Sequence, residues 1–286
     1  MSAAAFAPGL YPNIEADKYH ADKGAVSNSM LSDLADSPAH CFALHHAPER
    51  PAIEPTAAMK LGTLTHTALL EPEKVRTHYA VKPAGLNLGS AEGRKWKDAM
   101  VGLEIVTADD MAMVEAQRAA VMRDPLLASF FHAGQSEVSV FWIDKATGLR
   151  CKCRPDRIQY TGPNRVRVLD LKTTADITLD AVSRSICAYG YHRQQMHYTR
   201  GLEAHGLTVE QFVFGFVTKA YPFFAIPYEL DDETQAQGGE EVAELMSLYA
   251  SCHRSGNWPL TGGGPQIVGL PRWARRETEI EVSYAT

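Results

Sequence analysis

The sequence predicts an α/β fold: a mixed central β-sheet flanked by helices, in a single domain. Three observations lead there. Ser136–Ile143 and Arg150–Ile158 alternate with period two, and Val166–Leu171 is a short β-branched and leucine run, so all three read as strands. Segments of helical period lie on both sides of these strands. A length of 286 residues, 45% hydrophobic and 22% charged, can bury a large core and fits one elaborated domain better than two.

In chain order, residues 1–24 are rich in Ala and Pro and read as a flexible arm with little structure of its own. Ser27-Asn28-Ser29 caps a helix through Met30, Leu31 and Leu34 that stops before Ser37-Pro38. A proline-bearing loop leads into a helix over Ala57–Leu70, which carries His66. Arg94, Lys95 and Lys97 with Trp96 form a short basic and aromatic cluster, read as a solvated helix face. Thr107-Ala-Asp-Asp starts the next helix, which ends at Asp124-Pro125. Ser136–Ile143 is the first strand of the central sheet and turns at residues 145–148 into Arg150–Ile158.

Side chains on a strand point alternately to opposite faces. Lys152, Arg154 and Asp156 therefore share one face, and Cys151 and Cys153 belong to the core side. Thr161-Gly162-Pro163-Asn164 is a cluster of turn formers before Val166–Leu171. There Asp170 and Lys172 share a face, with Leu169 and Leu171 backing onto the core. Helices follow over 179–189 and 191–205, then two alternating strands over 212–219 and 222–228, and a long helix over 231–254. Residues 261–286, with Gly262-Gly263-Gly264, Arg272, Arg275 and Arg276, read as a flexible tail.

The net charge of −6 does not exclude nucleic acid, because a local basic channel can sit on an acidic protein. Five cysteines without regular spacing argue against a disulfide framework or an iron–sulfur cluster and for a reducing compartment. The N-terminus lacks a signal-peptide pattern, and no segment is long and apolar enough to span a membrane.

If the strands bearing Asp156 and Asp170 pair, two carboxylates and the Lys172 ammonium meet over one end of a sheet. Adjacent carboxylates repel, and a hard divalent cation relieves this by taking oxygen ligands from both. A cation there polarises a phosphoryl oxygen and lowers the pKa of a bound water. Lysine adds positive charge where a phosphoryl-transfer transition state gathers negative charge.

Pro155-Asp156 followed by Asp170-x-Lys172 resembles the PD-(D/E)XK nuclease signature, with aspartate in the (D/E) position. Gly62-Thr63-x-x-His66 within Leu61–Pro72 is similar to the histidine-bearing helix of the exodeoxyribonuclease VIII and RecB-type branch. Arg193-Gln194-x-x-x-Tyr198 is similar to that branch's Q-x-x-x-Y helix, and order and spacing agree over roughly residues 25–260.

The resemblance implies a restriction-endonuclease-like sheet and a Mg²⁺-dependent exodeoxyribonuclease, with Mn²⁺ able to substitute. Such an enzyme degrades linear double-stranded DNA from 5′ to 3′ and leaves 3′ tails for recombination by strand annealing. It implies that Asp156 and Asp170 bind the metal, with the Leu171 carbonyl and His66 completing the ligand set. Lys172 then stabilises or orients the attacking water, Gln194 and Tyr198 support the substrate side, and Glu137 is a secondary acidic residue near the cleft. Ser29 matches a serine that contacts a terminal 5′-phosphate in phage lambda-type relatives; its plainer reading is helix capping. Arg154, beside Asp156 by alternation, reads as a DNA phosphate contact, against a solvent-facing arginine or a structural ion pair. Arg184 is expected to face DNA.

Relatives form rings around DNA, so a homo-oligomer is implied, a trimer favoured over a tetramer, along with a single-strand annealing partner and a location in the cytoplasm. Two rivals stand beside this: a repair or restriction-type endonuclease of the same superfamily, and a non-catalytic DNA-end-binding protein.

Overall fold

A computed structural model describes residues 5–51, 54–260 and 267–270. Most of the tail expected over 261–286, including Arg272, Arg275 and Arg276, lies outside the described residues.

The chain opens with strand β1 (Gly9–Tyr11) and helix α1 (Ala16–Ala21), then a helical hairpin, α2 (Asn28–Asp36) and α3 (Pro38–His45). Ser37 joins the two helices; its hydroxyl accepts from the amide of His40 while its own N–H donates to the Asp33 carbonyl. Helix α4 (Ala57–Leu70) and α5 (Pro72–His78) lead to β2 (Tyr79–Val81), α6 (Ala91–Ala99) and β3 (Glu104–Val106). Next come α7 (Ala108–Arg123), begun by a Thr107–Asp110 capping box, and α8 (Pro125–His132), capped by Asp124. Asp124-Pro125 thus ends one helix and starts another, because proline is well placed in a first helical turn.

The strands β4 (Gln135–Ser136), β5 (Ser139–Ile143), β6 (Arg150–Cys153), β7 (Arg157–Gly162) and β8 (Arg165–Thr174) follow. After them run α9 (Leu179–Tyr189), α10 (Tyr191–Glu203), β9 (Thr208–Thr218), β10 (Ala225–Tyr228) and α11 (Asp232–Ser255). The main sheet is mixed, in the order β10-β9-β8-β7-β4, with β8 and β9 parallel and the other pairs antiparallel. Helices α9 and α10 make the crossover that a parallel pair requires.

Both faces of β8 are covered. Val166 and Val168 enter a core with Met30, Leu31 and Leu34 of α2, Leu202 of α10 and Val242 and Met246 of α11. Leu169 and Leu171 enter a second core with Leu69 and Leu70 of α4, Val121 of α7 and Leu127 and Phe130 of α8. A strand buried on both sides reads as a near-continuous apolar run, which is how Val166–Leu171 reads apart from Arg167 and Asp170. Among the described residues, no helix is long and apolar enough to cross a membrane.

Two expectations change. Neither Ser136–Ile143 nor Arg150–Ile158 is one continuous strand. Each breaks midway and passes from the main sheet to a second one, ordered β1-β5-β6. The breaks face each other: the Glu137 amide donates to the Asp156 carbonyl at 3.0 Å. Glu137 takes φ +54°, a left-handed backbone rare outside glycine, and Pro155 contributes no N–H to either ladder.

The N-terminal arm is not structureless. Its aromatic residues Phe6, Tyr11 and Tyr19 pack around Phe141, and β1 pairs with β5. Composition concealed this, because a few aromatic anchors and hydrogen bonds suffice to hold an Ala/Pro-rich segment. One consequence falls on Lys152. Its ammonium donates to the carbonyls of Tyr19 and Asp22 at 2.7 and 2.6 Å, buried beneath the arm rather than beside Asp156. Cys151 and Cys153 lie in the main core as read.

Candidate active site

The site begins with β7 and β8. Arg157 pairs with Leu169, which sets Asp156, one residue earlier, opposite Asp170, one residue later. The Asp156 carboxylate turns across the gap, and its Oδ2 accepts the Leu171 amide at 2.6 Å. Leu171 thus enters the site through its N–H.

Asp170 follows the parity of Val166 and Val168 and points toward α10. Its Oδ1 accepts from Gln194 Nε2 at 2.8 Å. Its Oδ2 lies against the Lys172 ammonium as an ion pair but accepts no aligned hydrogen bond. Lys172 donates to Gln194 Oε1 at 2.9 Å and lies over the Tyr191 ring, 4.4 Å from its centroid. Gln194 therefore bridges the two catalytic candidates, and using both ends of its amide fixes its orientation.

From the other layer, α4 brings His66 Nδ1 to 3.6 Å from Asp156 Oδ2. Glu137 reaches the same place from the left-handed break between β4 and β5. The nearest ligand atoms of His66, Glu137 and Asp156 lie within 4.8 Å of one another.

Expectation and geometry part here. The tight donor group consists of His66, Asp156 and Glu137, while Asp170 stands beside it, occupied by Lys172 and Gln194. Glu137, read from sequence as a secondary acid, is a ligand candidate equal to His66. The lone signal for it was an acidic residue on the strand before the motif. Its backbone twist, which aims the side chain, is not legible in a Glu-Val pair.

The electrostatics show strain between like charges. Burial, then Asp156, Asp170 and Glu71, push the Glu137 carboxyl up to about 8 against the opposing Arg154. Burial and the neighbouring Asp170 push Asp156 up to about 6, although His66 and Lys172 pull the other way. Burial alone would depress Lys172; Asp170 and Asp156 outweigh it and hold the ammonium charged, above its ordinary value. A divalent cation fits this donor set. Two of the three carboxyls are held above their ordinary values despite Lys172, His66 and Arg154 nearby, and carboxylate oxygens with one imidazole are ligands for a divalent cation.

A cavity of ≈ 320 Å³ opens on the far side of Glu137, lined by Lys23, Ser29, Lys152, Arg154 and Tyr198 among others. Ser27 caps α2 by accepting from Met30 N, and its hydroxyl lies 2.9 Å from that of Ser29. The capping reading therefore falls to Ser27, and Ser29 lines the cavity.

Arg154 also lines it, but not as a solvent-facing phosphate hook. Its guanidinium donates to Ser139 Oγ at 2.9 Å and to the Ile14 carbonyl at 2.5 Å, stacks on Tyr19, and lies 3.7 Å from Glu137. Because β6 ends at Cys153, Arg154 is no longer on Asp156's strand, and alternation does not apply. Half-buried Tyr198, one helical turn after Gln194, lines the cavity together with Glu137; burial, then the Asp170 charge, raise its hydroxyl pKa well above the ordinary value. Arg184 is exposed on α9 and joins none of these groups. Sequence reading missed Tyr191, three positions before Gln194 and so on the same helix face, and Glu71 in the Leu70-Glu71-Pro72 end of α4.

A mixed sheet whose paired strands present Pro-Asp and Asp-x-Lys beneath a histidine-bearing helix defines a PD-(D/E)XK nuclease-like protein. The profile of the PDDEXK-like domain of unknown function, DUF3799, matches residues 27–269, and the chain belongs to that family. Among solved structures, a candidate exonuclease from Eubacterium rectale is similar in fold at 16% identity and a TM-score of 0.59, covering 85% of this chain and 87% of that one. A second structure, SSO0001, covers 77% of this chain and 86% of its own at 15% identity, but its TM-score of 0.28 carries no weight. No curated protein matches the chain.

Proposed function

We propose that this chain is a Mg²⁺-dependent exodeoxyribonuclease, with Mn²⁺ able to substitute, that degrades linear duplex DNA from its 5′ ends and leaves 3′ single-stranded tails. The observation that carries the reading is the buried assembly of Asp156, Asp170 and Lys172, cross-linked by Gln194 and joined by His66 and Glu137. Perturbed, mutually repelling carboxylates beside a held ammonium are what metal-assisted phosphodiester hydrolysis uses, and a structural ion pair has no need of them.

His66, Glu137 and Asp156 would hold the cation, with Asp170 and the Leu171 carbonyl as the further oxygen ligands that the family resemblance implies. The bound cation supplies Lewis acidity to the phosphoryl oxygen and lowers the pKa of a water. Lys172 orients that water and offsets the charge gathering on the phosphoryl group. Gln194 keeps Lys172 and Asp170 in register. A water oxygen bonds to phosphorus and gives up a proton to solvent, the opposite P–O ester bond breaks, and the leaving oxygen takes up a proton.

Action at a 5′ end is supported by the cavity beyond Glu137. Ser29 at a helix start, with Lys23 on the same cavity lining, provides a hydroxyl and a cationic partner for a terminal phosphate. A ring of copies around DNA, a trimer before a tetramer, and a single-strand annealing partner in the cytoplasm complete the proposal. A repair or restriction-type endonuclease is the rival. The experiment is digestion in Mg²⁺ of linear duplex labelled separately at each strand end, beside a covalently closed circle. Release of the 5′ label first, with the circle intact, supports the proposal; cutting of the circle supports the rival.

A further inference from the structure

Beyond the carboxylates, the loop joining β9 to β10 raises a separate question. It carries Lys219, Tyr221, Pro222, Phe223 and Phe224, and Tyr221 and Phe224 are 88% and 53% exposed. Exposed rings on a loose loop would mean little, but this loop is pinned. The Lys219 amide donates to the Thr174 carbonyl at 2.9 Å. Thr218 Oγ1 donates to the Pro222 carbonyl at 3.0 Å and accepts from the Phe224 amide at 2.9 Å. Arg123 Nη2 donates to the Phe223 carbonyl at 3.0 Å, and the buried Gln117 side chain donates to the Thr218 carbonyl at 3.0 Å. The backbone is held from β8, from α7 and by the loop itself, while two rings are left facing water. Rigid presentation of aromatic surface is how a scaffold offers a binding loop.

Between this loop and α7 lies an open cavity of ≈ 750 Å³. One wall is Ala116, Ala119 and Ala120, the other Tyr221 and Phe224, with Arg123 between them. Small residues opposite rings leave a slot suited to a flat guest. The acidic residue at its edge, Asp124, is already spent, capping α8 through the Leu127 amide at 2.9 Å. Arg123 is the cation that lines the slot, and Lys219 sits on the same loop.

The loop is also anchored to the strand that carries Asp170. Lys219 is tied to Thr174, and Thr174 lies four residues beyond Asp170 on β8, about 13 Å along the strand. That is roughly four nucleotides at a per-strand rise of ~3.4 Å. Exposed aromatic rings beside a cation suit unpaired nucleobases, whose π-faces stack regardless of sequence.

We infer that the β9–β10 hairpin and α7 form a stacking site for unpaired nucleotides of the DNA strand lying beyond the cleft. The choice of DNA rests on the nuclease reading above; the stacking site itself rests on the slot and its rings.

The test is binding of a fluorescein-labelled oligothymidylate and of a blunt duplex in Ca²⁺, by anisotropy, for wild type, Tyr221→Ala/Phe224→Ala and Phe224→Tyr. Both rings are exposed, so the double variant keeps its core; an unchanged melting temperature verifies this. The expected result is a loss of about tenfold or more in oligothymidylate affinity for the double variant, near wild-type affinity for Phe224→Tyr, and little change for the duplex. Equal oligothymidylate affinity in all three proteins overturns the inference. So does a double variant whose only change is a smaller sedimentation mass, which would make the slot a contact between copies. Loss of oligothymidylate binding in a protein that digests no DNA would retain the stacking site and remove the nuclease reading instead.

Discussion

Two neighbouring segments of this chain both bury charge, and they do so to opposite ends. On β6 and just after it, every cation is matched. Arg150 makes a bidentate pair with Asp22 at 2.6 Å on both arms, Lys152 fills two carbonyls, and Arg154 takes a hydroxyl, a carbonyl and a ring. Burial alone would raise the Asp22 pKa, but the Arg150 hydrogen bonds hold it below the ordinary value. At the junction with β7 and β8, Asp156 and Glu137 are pushed the other way, and an Asp170 oxygen lacks an aligned donor. The first region is finished by the protein itself. The second crowds three carboxyls around Lys172 and His66 and leaves two of them easier to protonate, which an added cation would relieve.

The comparison breaks most sharply at the reactive end. Asp170→Ala and Lys172→Ala should each lower Mg²⁺-dependent nucleotide release per folded molecule by about 10²–10³-fold or more, while DNA binding in Ca²⁺ holds. Asp22→Ala should do the reverse. Stranding Arg150 should cost about 3 kcal/mol of stability in urea unfolding, with turnover per folded molecule nearly unchanged.

The pH response separates the regions again. Asp156 and Glu137 bind protons more tightly folded, at about 6 and about 8, than at their ordinary 3.8 and 4.5. Between about pH 4 and 8 the folded state therefore holds more protons than the unfolded state, and stability falls as pH rises. Thermal melts of metal-free protein should show that fall, and Ca²⁺ should flatten it. Smaller still, Ser29→Ala should cut the preference for 5′-phosphorylated over hydroxyl ends by about fivefold to tenfold in an end-labelled digestion. Least of all, Arg184→Ala should change digestion by no more than about twofold, since a lone exposed cation contributes one screened phosphate contact at most.

What could be read in advance follows from the same contrast. Asp156, Asp170 and Lys172 were legible because strand alternation and pairing are local rules, and because a Pro-Asp and an Asp-x-Lys are rare companions. Gln194 was legible through its resemblance to the Q-x-x-x-Y helix, with helical spacing adding only that it shares a face with Tyr198. The matched region was not. Nothing in Ala/Pro-rich residues 5–24 announces that Tyr19 and Asp22 will cap three cations of a distant strand, and so Arg154 was assigned to DNA. Glu137 was half-legible: its acidity was visible, but the left-handed turn that carries it into the donor group arises from tertiary packing.

The measurement nearest the centre of this account is single-turnover digestion of a linear duplex in Mg²⁺ by wild type and Lys172→Ala, with equal DNA occupancy verified in Ca²⁺. The account predicts nucleotide release by the wild type, none on the same timescale by Lys172→Ala, and no release by either protein in EDTA. Release by Lys172→Ala at the wild-type rate would contradict it.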